Sequence, residues 1–252
     1  MRFVLYNVRY GTGSGIHYHL PVPYSGCLRR TEGAFLRIAE YVAKLSPDIV
    51  GLVEADLGSF RQNGCCQPGT MASKMGGTHF SACQYRPGAA LSRTPLLKSQ
   101  GNAVVTKLPV LSTTAHSFRR GIKRSLLEVE FDEFILYLVH LSLGYRVRTK
   151  QIAELAERCA AAEKPMIVAG DGNTYAGRRE FYPLIKALRL RNANAENLPT
   201  YPSSMPTLPL DFVLYSRGIV VDEFRVPRVR FSDHLPVVCD FRVLPRGEGR
   251  TP

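Results

Sequence analysis

The chain has 252 residues, 45% of them hydrophobic and 21% charged, with 33 basic against 21 acidic side chains and a formal charge of +12. This length accommodates one large or two small domains with a substantial core, and the composition is that of a soluble globular protein. No apolar run approaches the ~20 residues that span a bilayer, and the basic excess favours polyanionic partners: nucleic acid, phosphorylated small molecules or an anionic lipid surface.

In chain order, period-2 alternation and short apolar runs predict strands at about residues 2–8, 48–53, 79–85, 101–106, 124–131, 134–140, 165–169, 211–215, 219–226 and 236–243. Met1 leads directly into the first of these, without the apolar stretch and cleavage site of a secretory leader, so a cytoplasmic location is expected. Helical periodicity appears in "TEGAFLRIAEYVAKLS", where Phe35, Ile38, Val42 and Leu45 share a stripe and Thr31 stands at the N-cap position. Two further helices are predicted at about 148–162 and 178–188, the latter with Pro183 near its first turn. "RSLLEVEF" and "FILYLVH", separated by Asp132-Glu133, read as a hairpin. Gly, Pro and Ser mark loops at 11–30, 57–78, 86–100 and 194–209. The order predicts a single layered α/β domain over 1–244 with mainly antiparallel pairing, followed by a disordered basic tail at 245–252. None of the six cysteines is spaced for a metal knuckle; Cys159 and Cys239 fall on buried faces as small core residues.

Several apolar runs end in a residue with acid, base or metal-binding capacity. "FVLY" ends at Asn7, "DIVGLV" at Glu54, "FILYLV" at His140 and "MIVAG" at Asp171; Asp211 opens a strand, and Asp233-His234 precede "LPVV". Each alone has an ordinary structural reading as a solvated end or turn residue. Together they suggest one rim of a sheet crowded with carboxylates, which demands a compensating cation or shifted pKa values. Oxygen donors of this kind suit Mg²⁺, with Mn²⁺ as a substitute, and point to metal-assisted phosphoester hydrolysis. A zinc H-E-x-x-H helix, a G-x-S-x-G elbow and a P-loop lysine are all missing from the sequence.

In this order and spacing, "LYNVRYG", "PDIVGLVE", "GNAVVTKLPV", "VHLSLG", "VAGDGNT", "LDFVLYS" and "SDHLP" resemble the motifs of the endonuclease/exonuclease/phosphatase superfamily over nearly the whole chain. The resemblance implies a four-layered α/β sandwich, two mainly antiparallel sheets flanked by helices, of the deoxyribonuclease type. It implies Glu54 as principal metal ligand with Asn7 and Asp233 nearby, and Asp171 orienting or deprotonating the attacking water. It also implies Asn173 on a phosphoryl oxygen, His234 paired with Asp211 against the scissile phosphate, and His140 at the phosphate or leaving group. The general base stays open within this coupled set.

Three positions depart from the family pattern: Val53 where many members have glutamine, Arg9 where some nucleases are acidic, and Gly172 where phenylalanine or leucine is common. At Gly172 the expectation is that a neighbouring side chain fills the gap or the pocket is wider. Arg9 is a candidate for a substrate phosphate or for reducing the acidity around the metal. Arg124 stands at a strand position often held by arginine in the family, where its role is structural or, as the alternative, contact with a substrate phosphate. His17 and His19, in the loop "GIHYHLPVPYSG", are candidate substrate contacts. The expected function is a metal-dependent phosphodiesterase or nuclease, with a lipid- or inositol-phosphate hydrolase and a non-catalytic polyanion-binding module as alternatives.

Overall fold

The computed structural model describes residues 1–15, 28–84, 97–121 and 125–245. His17, His19 and Arg124 lie outside them, as do the tail from 246 and most of the first and third expected loops. β1 (Arg2–Asn7) leads to α1 (Glu32–Lys44) and β2 (Ile49–Asp56), and α2 (Gln67–Met75) then precedes β3 (Thr78–Cys83), β4 (Gln100–Thr106) and β5 (Ser112–Ser117). A hairpin of β6 (Ser125–Glu130) and β7 (Ile135–His140) is followed by α3 (Tyr145–Cys159), β8 (Met166–Asp171), α4 (Tyr182–Leu188) and β9 (Arg191–Asn192). Three strands, β10 (Asp211–Tyr215), β11 (Ile219–Arg225) and β12 (Val237–Val243), complete the described chain.

Among the described residues the strands form two six-stranded mixed sheets, ordered β11-β12-β1-β2-β4-β3 and β5-β6-β7-β8-β10-β9. Each contains one parallel pair, β1 with β2 and β7 with β8, and is otherwise antiparallel. Strand alternation produces the layers, because successive side chains point to opposite faces. In β1, Phe3 and Leu5 enter the core between the sheets, while Val4 and Tyr6 pack against the layer of α1 and α2. In β7, Leu136 and Leu138 face the inter-sheet core, while Ile135, Tyr137 and Val139 face the layer of α3 and α4. The result is the expected four-layered α/β sandwich. In β2, Gly51 admits the opposing sheet: a Cβ there would lie 3.0 Å from the Leu138 side chain.

Four readings are corrected. The stretch read as a loop at 57–78 contains α2: the Cys66 thiol accepts from the Gly69 N–H, Pro68 sits in the first turn, and Met71, Ala72 and Met75 bury a stripe. Pro and Gly near its start hid this helix, although Pro is compatible with a first turn. β5 was not anticipated because "STTAHS" is an edge strand that, among the described residues, pairs with β6 alone and is largely exposed, so it carries no apolar alternation. α3 begins at Tyr145, ahead of the expected 148. Thr31 does occupy the N-cap position of α1, but its hydroxyl accepts from Gln62 Nε2 at 2.6 Å and does not cap the helix. Cys159 and Cys239 are buried in the core as expected, and burial pushes both thiols up to about 12. No helix among the described residues is long and apolar enough to cross a membrane.

Candidate active site

The same alternation that builds the inter-sheet core determines what stands at its end. Asn7 continues the face of Phe3 and Leu5, His140 that of Leu136 and Leu138, Asp171 that of Ile167 and Ala169, and Asp211 that of Val213. All four are nearly or fully buried. Glu54 would point to the helix side, with Val50 and Leu52, were β2 regular. The β2–β4 register slips between Leu52 and Ala55, and Glu54 takes a left-handed φ of 54°. This bulge re-aims the carboxylate towards His140, whose Nε2 lies 3.7 Å from Glu54 Oε1.

Asp171 is the focal point. Its Oδ1 accepts from the Asn173 backbone N–H at 2.9 Å, and its Oδ2 accepts from Asn7 Nδ2 at 2.9 Å. Both imidazole Nε2 atoms then face the same Oδ2, that of His140 at 3.5 Å and that of His234 at 3.7 Å. The backbone here requires its glycines. At Gly170, with φ +151°, a Cβ would sit 1.9 Å from the Val139 carbonyl oxygen. At Gly172 a Cβ would lie 2.6 Å from the Phe181 ring, so Phe181, packed on Phe212, occupies the space left by this departure from the family pattern. Asn173 adopts a left-handed φ of 49°, which asparagine tolerates, and one of its amide hydrogens is donated to the Leu141 carbonyl at 2.9 Å.

His234 and Asp233 precede β12 and reach the same rim. His234 Nδ1 lies 2.7 Å from Asp211 Oδ2, and the Tyr201 ring packs 4.9 Å from the imidazole. Burial opposes charge on His234, but Asp211 and Asp171 outweigh it and push its pKa up to about 10. The turn is clamped by Ser203, whose N–H donates to the Asp233 carbonyl at 2.7 Å and whose hydroxyl donates to the Ser232 carbonyl at 2.6 Å. Burial raises the Asp233 carboxyl, with nearby Glu54 acting in the same direction against His234 and Arg9. Arg9 is itself almost buried, with Nε 3.3 Å from Asp233 Oδ2, Nη1 donating to the Gly15 carbonyl at 3.0 Å and backbone N–H donating to Asn7 Oδ1 at 3.1 Å.

The sequence-predicted set Asn7, Arg9, Glu54, His140, Asp171, Asn173, Asp211, Asp233 and His234 is thus gathered at one rim, drawn from both sheets. Sequence reasoning missed Gln84, whose Nε2 lies 2.9 Å from His140 Nδ1, and Tyr201 and Ser203 around the Asp233-His234 turn. Nothing local marks these residues, since their roles depend on contacts between distant segments.

The donor set fits a divalent cation. Glu54 and Asp233 bring two electrostatically opposed carboxylates, to which Asn7 Oδ1 adds a neutral oxygen, and hard oxygen donors of this type suit Mg²⁺. Ligand atoms of Asp171, Asp211 and His234 also lie within 4.8 Å of one another. Both groups are engaged in the structure: those three by the 2.7 Å His234–Asp211 hydrogen bond and the two hydrogen bonds to Asp171, and Asp233 and Asn7 Oδ1 by Arg9.

Two six-stranded sheets, with carboxylates and histidines from both converging at one rim, define the architecture with which the comparisons are made. The model of the endonuclease/exonuclease/phosphatase family matches residues 4–234, and the chain belongs to that family. Among solved structures, it is similar to a family protein from Bacteroides thetaiotaomicron, with TM-score 0.72 and 14% identity over 100% of this chain and 98% of that one. A mannosyl-6-phosphatase from the same organism gives TM-score 0.68 and 14% identity, covering 96% of this chain and 99% of that one. Humanized D. rerio TDP2 gives TM-score 0.66 and 15% identity over 96% and 99% of the two chains.

Proposed function

We propose that this chain is a divalent-metal-dependent phosphodiesterase or nuclease that attacks phosphorus with an activated water. The observation that carries this reading is the convergence on Asp171 Oδ2 of Asn7 and both histidine Nε2 atoms, within 2.9–3.7 Å. Glu54, Asp233 and Asn7 are the residues that would hold Mg²⁺, which neutralises phosphate charge and lowers the pKa of bound water. Asp171 Oδ2, held in place by Asn7, orients the nucleophilic water and accepts its proton. His234, kept protonated by Asp211 and Asp171, faces the negative charge of the phosphoryl group. His140 and the second amide hydrogen of Asn173 donate to its oxygens, and a histidine supplies the proton that the leaving oxygen takes up.

The formal charge of +12 supports a nucleic acid as substrate. Free thiols at Cys65, Cys66 and Cys83 suit the reducing, cytoplasmic setting that belongs to this reading. The mannosyl-6-phosphatase similarity keeps phosphomonoesters in view as a second reading. The deciding experiment measures turnover with Mg²⁺, with Mn²⁺ and with EDTA on single- and double-stranded DNA, RNA, bis-p-nitrophenyl phosphate, p-nitrophenyl phosphate, inositol phosphates and sphingomyelin. Metal-dependent cleavage that favours diesters supports the proposal, and preference for a monoester replaces it with the second reading. Failure on every substrate removes the enzyme reading in favour of a polyanion-binding module.

A further inference from the structure

The two histidines at the site face the same carboxylate oxygen but are supported from behind by different chemistry. His234 is backed by a carboxylate, Asp211. His140, fully buried, is backed by an amide: Gln84 Nε2 lies 2.9 Å from His140 Nδ1, while Gln84 Oε1 accepts from the Tyr10 hydroxyl at 3.2 Å. Tyr10 is held in turn by the Arg61 guanidinium, 4.8 Å over its ring, and Arg61 is paired with Asp56 at 2.9 Å. Arg61, Asp56, Gln84 and Tyr10 are all buried, so a continuous polar chain runs from the packing around α2 to the back of His140.

The direction of this chain determines where the imidazole hydrogen sits. A neutral imidazole donates from one nitrogen and accepts at the other. On the site side, His140 Nε2 faces two carboxylate oxygens, Asp171 Oδ2 at 3.5 Å and Glu54 Oε1 at 3.7 Å, where a lone pair would be repelled and an N–H is attracted. Nδ1 must then be the acceptor, which requires the NH₂ end of Gln84. With the amide in that orientation its oxygen end accepts from the Tyr10 hydroxyl. A flipped amide could still donate to the phenol oxygen, but it would put its own oxygen against the lone pair of Nδ1.

We propose that Gln84, aligned by Tyr10, is a positioning residue that holds His140 in the Nε2–H tautomer, so that this histidine serves the site as a hydrogen-bond donor. The ring nitrogen not facing the reaction is commonly fixed by an outer partner, whose removal costs roughly 10–100-fold in metal sites. The kinetic consequence rests on the phosphoester reading; the tautomer itself does not.

The test is long-range ¹H–¹⁵N NMR on protein labelled at histidine, with His140 assigned through His140→Gln. The expected pattern of the neutral imidazole, reached by raising the pH until the ring loses its charge, is a protonated Nε2 and a bare Nδ1. In Gln84→Glu, which keeps the shape but replaces the donor by an acceptor, the proton should appear on Nδ1. A neutral wild-type His140 that carries its hydrogen on Nδ1 overturns the proposal whether or not the protein turns over any substrate. Where turnover is found, Gln84→Leu should lower kcat roughly 10-fold while changing KM less than about 3-fold. Tyr10→Phe should do the same more weakly, and the double variant should be no worse than Gln84→Leu alone, since both act through one hydrogen-bonded chain. Additive losses, or a Gln84→Glu spectrum identical to wild type, would reduce Gln84 to packing.

Discussion

The two ends of the inter-sheet core carry similar residues with opposite consequences. At the start of β1, Arg2 donates to both carboxylate oxygens of Asp240, at 2.7 and 2.8 Å, and its backbone N–H donates to Asp48. On the same rim Lys164 pairs with Glu130 at 2.6 Å. Each of those acids meets a cation or a backbone donor, and the groups remain partly exposed. At the far end of β1, Glu54, Asp171, Asp211 and Asp233 crowd together with two histidines and Arg9, mostly out of water. A strand-end charge is therefore informative through its partners: matched and solvated it is structural, but crowded and desolvated it is a candidate for chemistry.

Substitutions at the two ends should separate activity from stability. The largest effect is expected at Asp171. Asp171→Asn cannot accept from both the Asn173 backbone and the Asn7 amide in the way the carboxylate does, and should cut kcat by roughly 10²-fold or more, with an unchanged circular dichroism spectrum. His234→Ala should follow, also with a loss of roughly 10²-fold. It also leaves Asp211 buried without its imidazole partner, which should lower stability by about 1–3 kcal/mol in urea titration. Equal activity in either variant would detach that residue from the mechanism.

Gly172 offers a test of local packing beside the site. Gly172→Phe collides with Phe181, whose ring lies 2.6 Å from the Cβ position, and should destabilise the fold by about 1–3 kcal/mol. Combining it with Phe181→Ala should recover part of that loss in a thermal melt, because the two positions share one volume. An additive loss in the pair would mean that the space is not exchangeable.

The smallest effect belongs to the opposite rim. The hydrogen bond from Arg2 holds the Asp240 carboxyl below the usual carboxylate range, against the opposing effect of partial burial. A depressed folded pKa contributes stability that is present above the ordinary carboxylate pKa and disappears as pH falls through the folded value. Asp240→Asn should therefore lower stability by less than ~1 kcal/mol at neutral pH, lose that difference in acid, and leave turnover alone. A loss of turnover would mean that the two ends are coupled.

How much could be read beforehand follows from the range of the interactions. Asn7, His140, Asp171 and Asp211 were legible because each ends or opens an apolar run and keeps the parity of its inter-sheet face. The layering was legible for the same reason. Glu54 was legible through its motif, but not its aim, because a bulge breaks the parity that would have turned it towards α1. The pairing of Gln84 with Tyr10 was not legible: they meet across 74 residues of sequence, and although Tyr10 falls within "LYNVRYG", nothing local points from it to Gln84. β5 and α2 were missed because an exposed edge strand lacks alternation and a proline-started helix resembles a loop.

The central claim is that Asp171 is the carboxylate around which a metal-dependent phosphoester hydrolase is built. The most direct measurement compares wild type and Asp171→Asn on bis-p-nitrophenyl phosphate, each with Mg²⁺ and with EDTA. Wild-type turnover should be abolished by EDTA and should fall by roughly 10²-fold or more in the folded variant. Wild-type turnover that survives EDTA, or a variant as active as wild type, would contradict it.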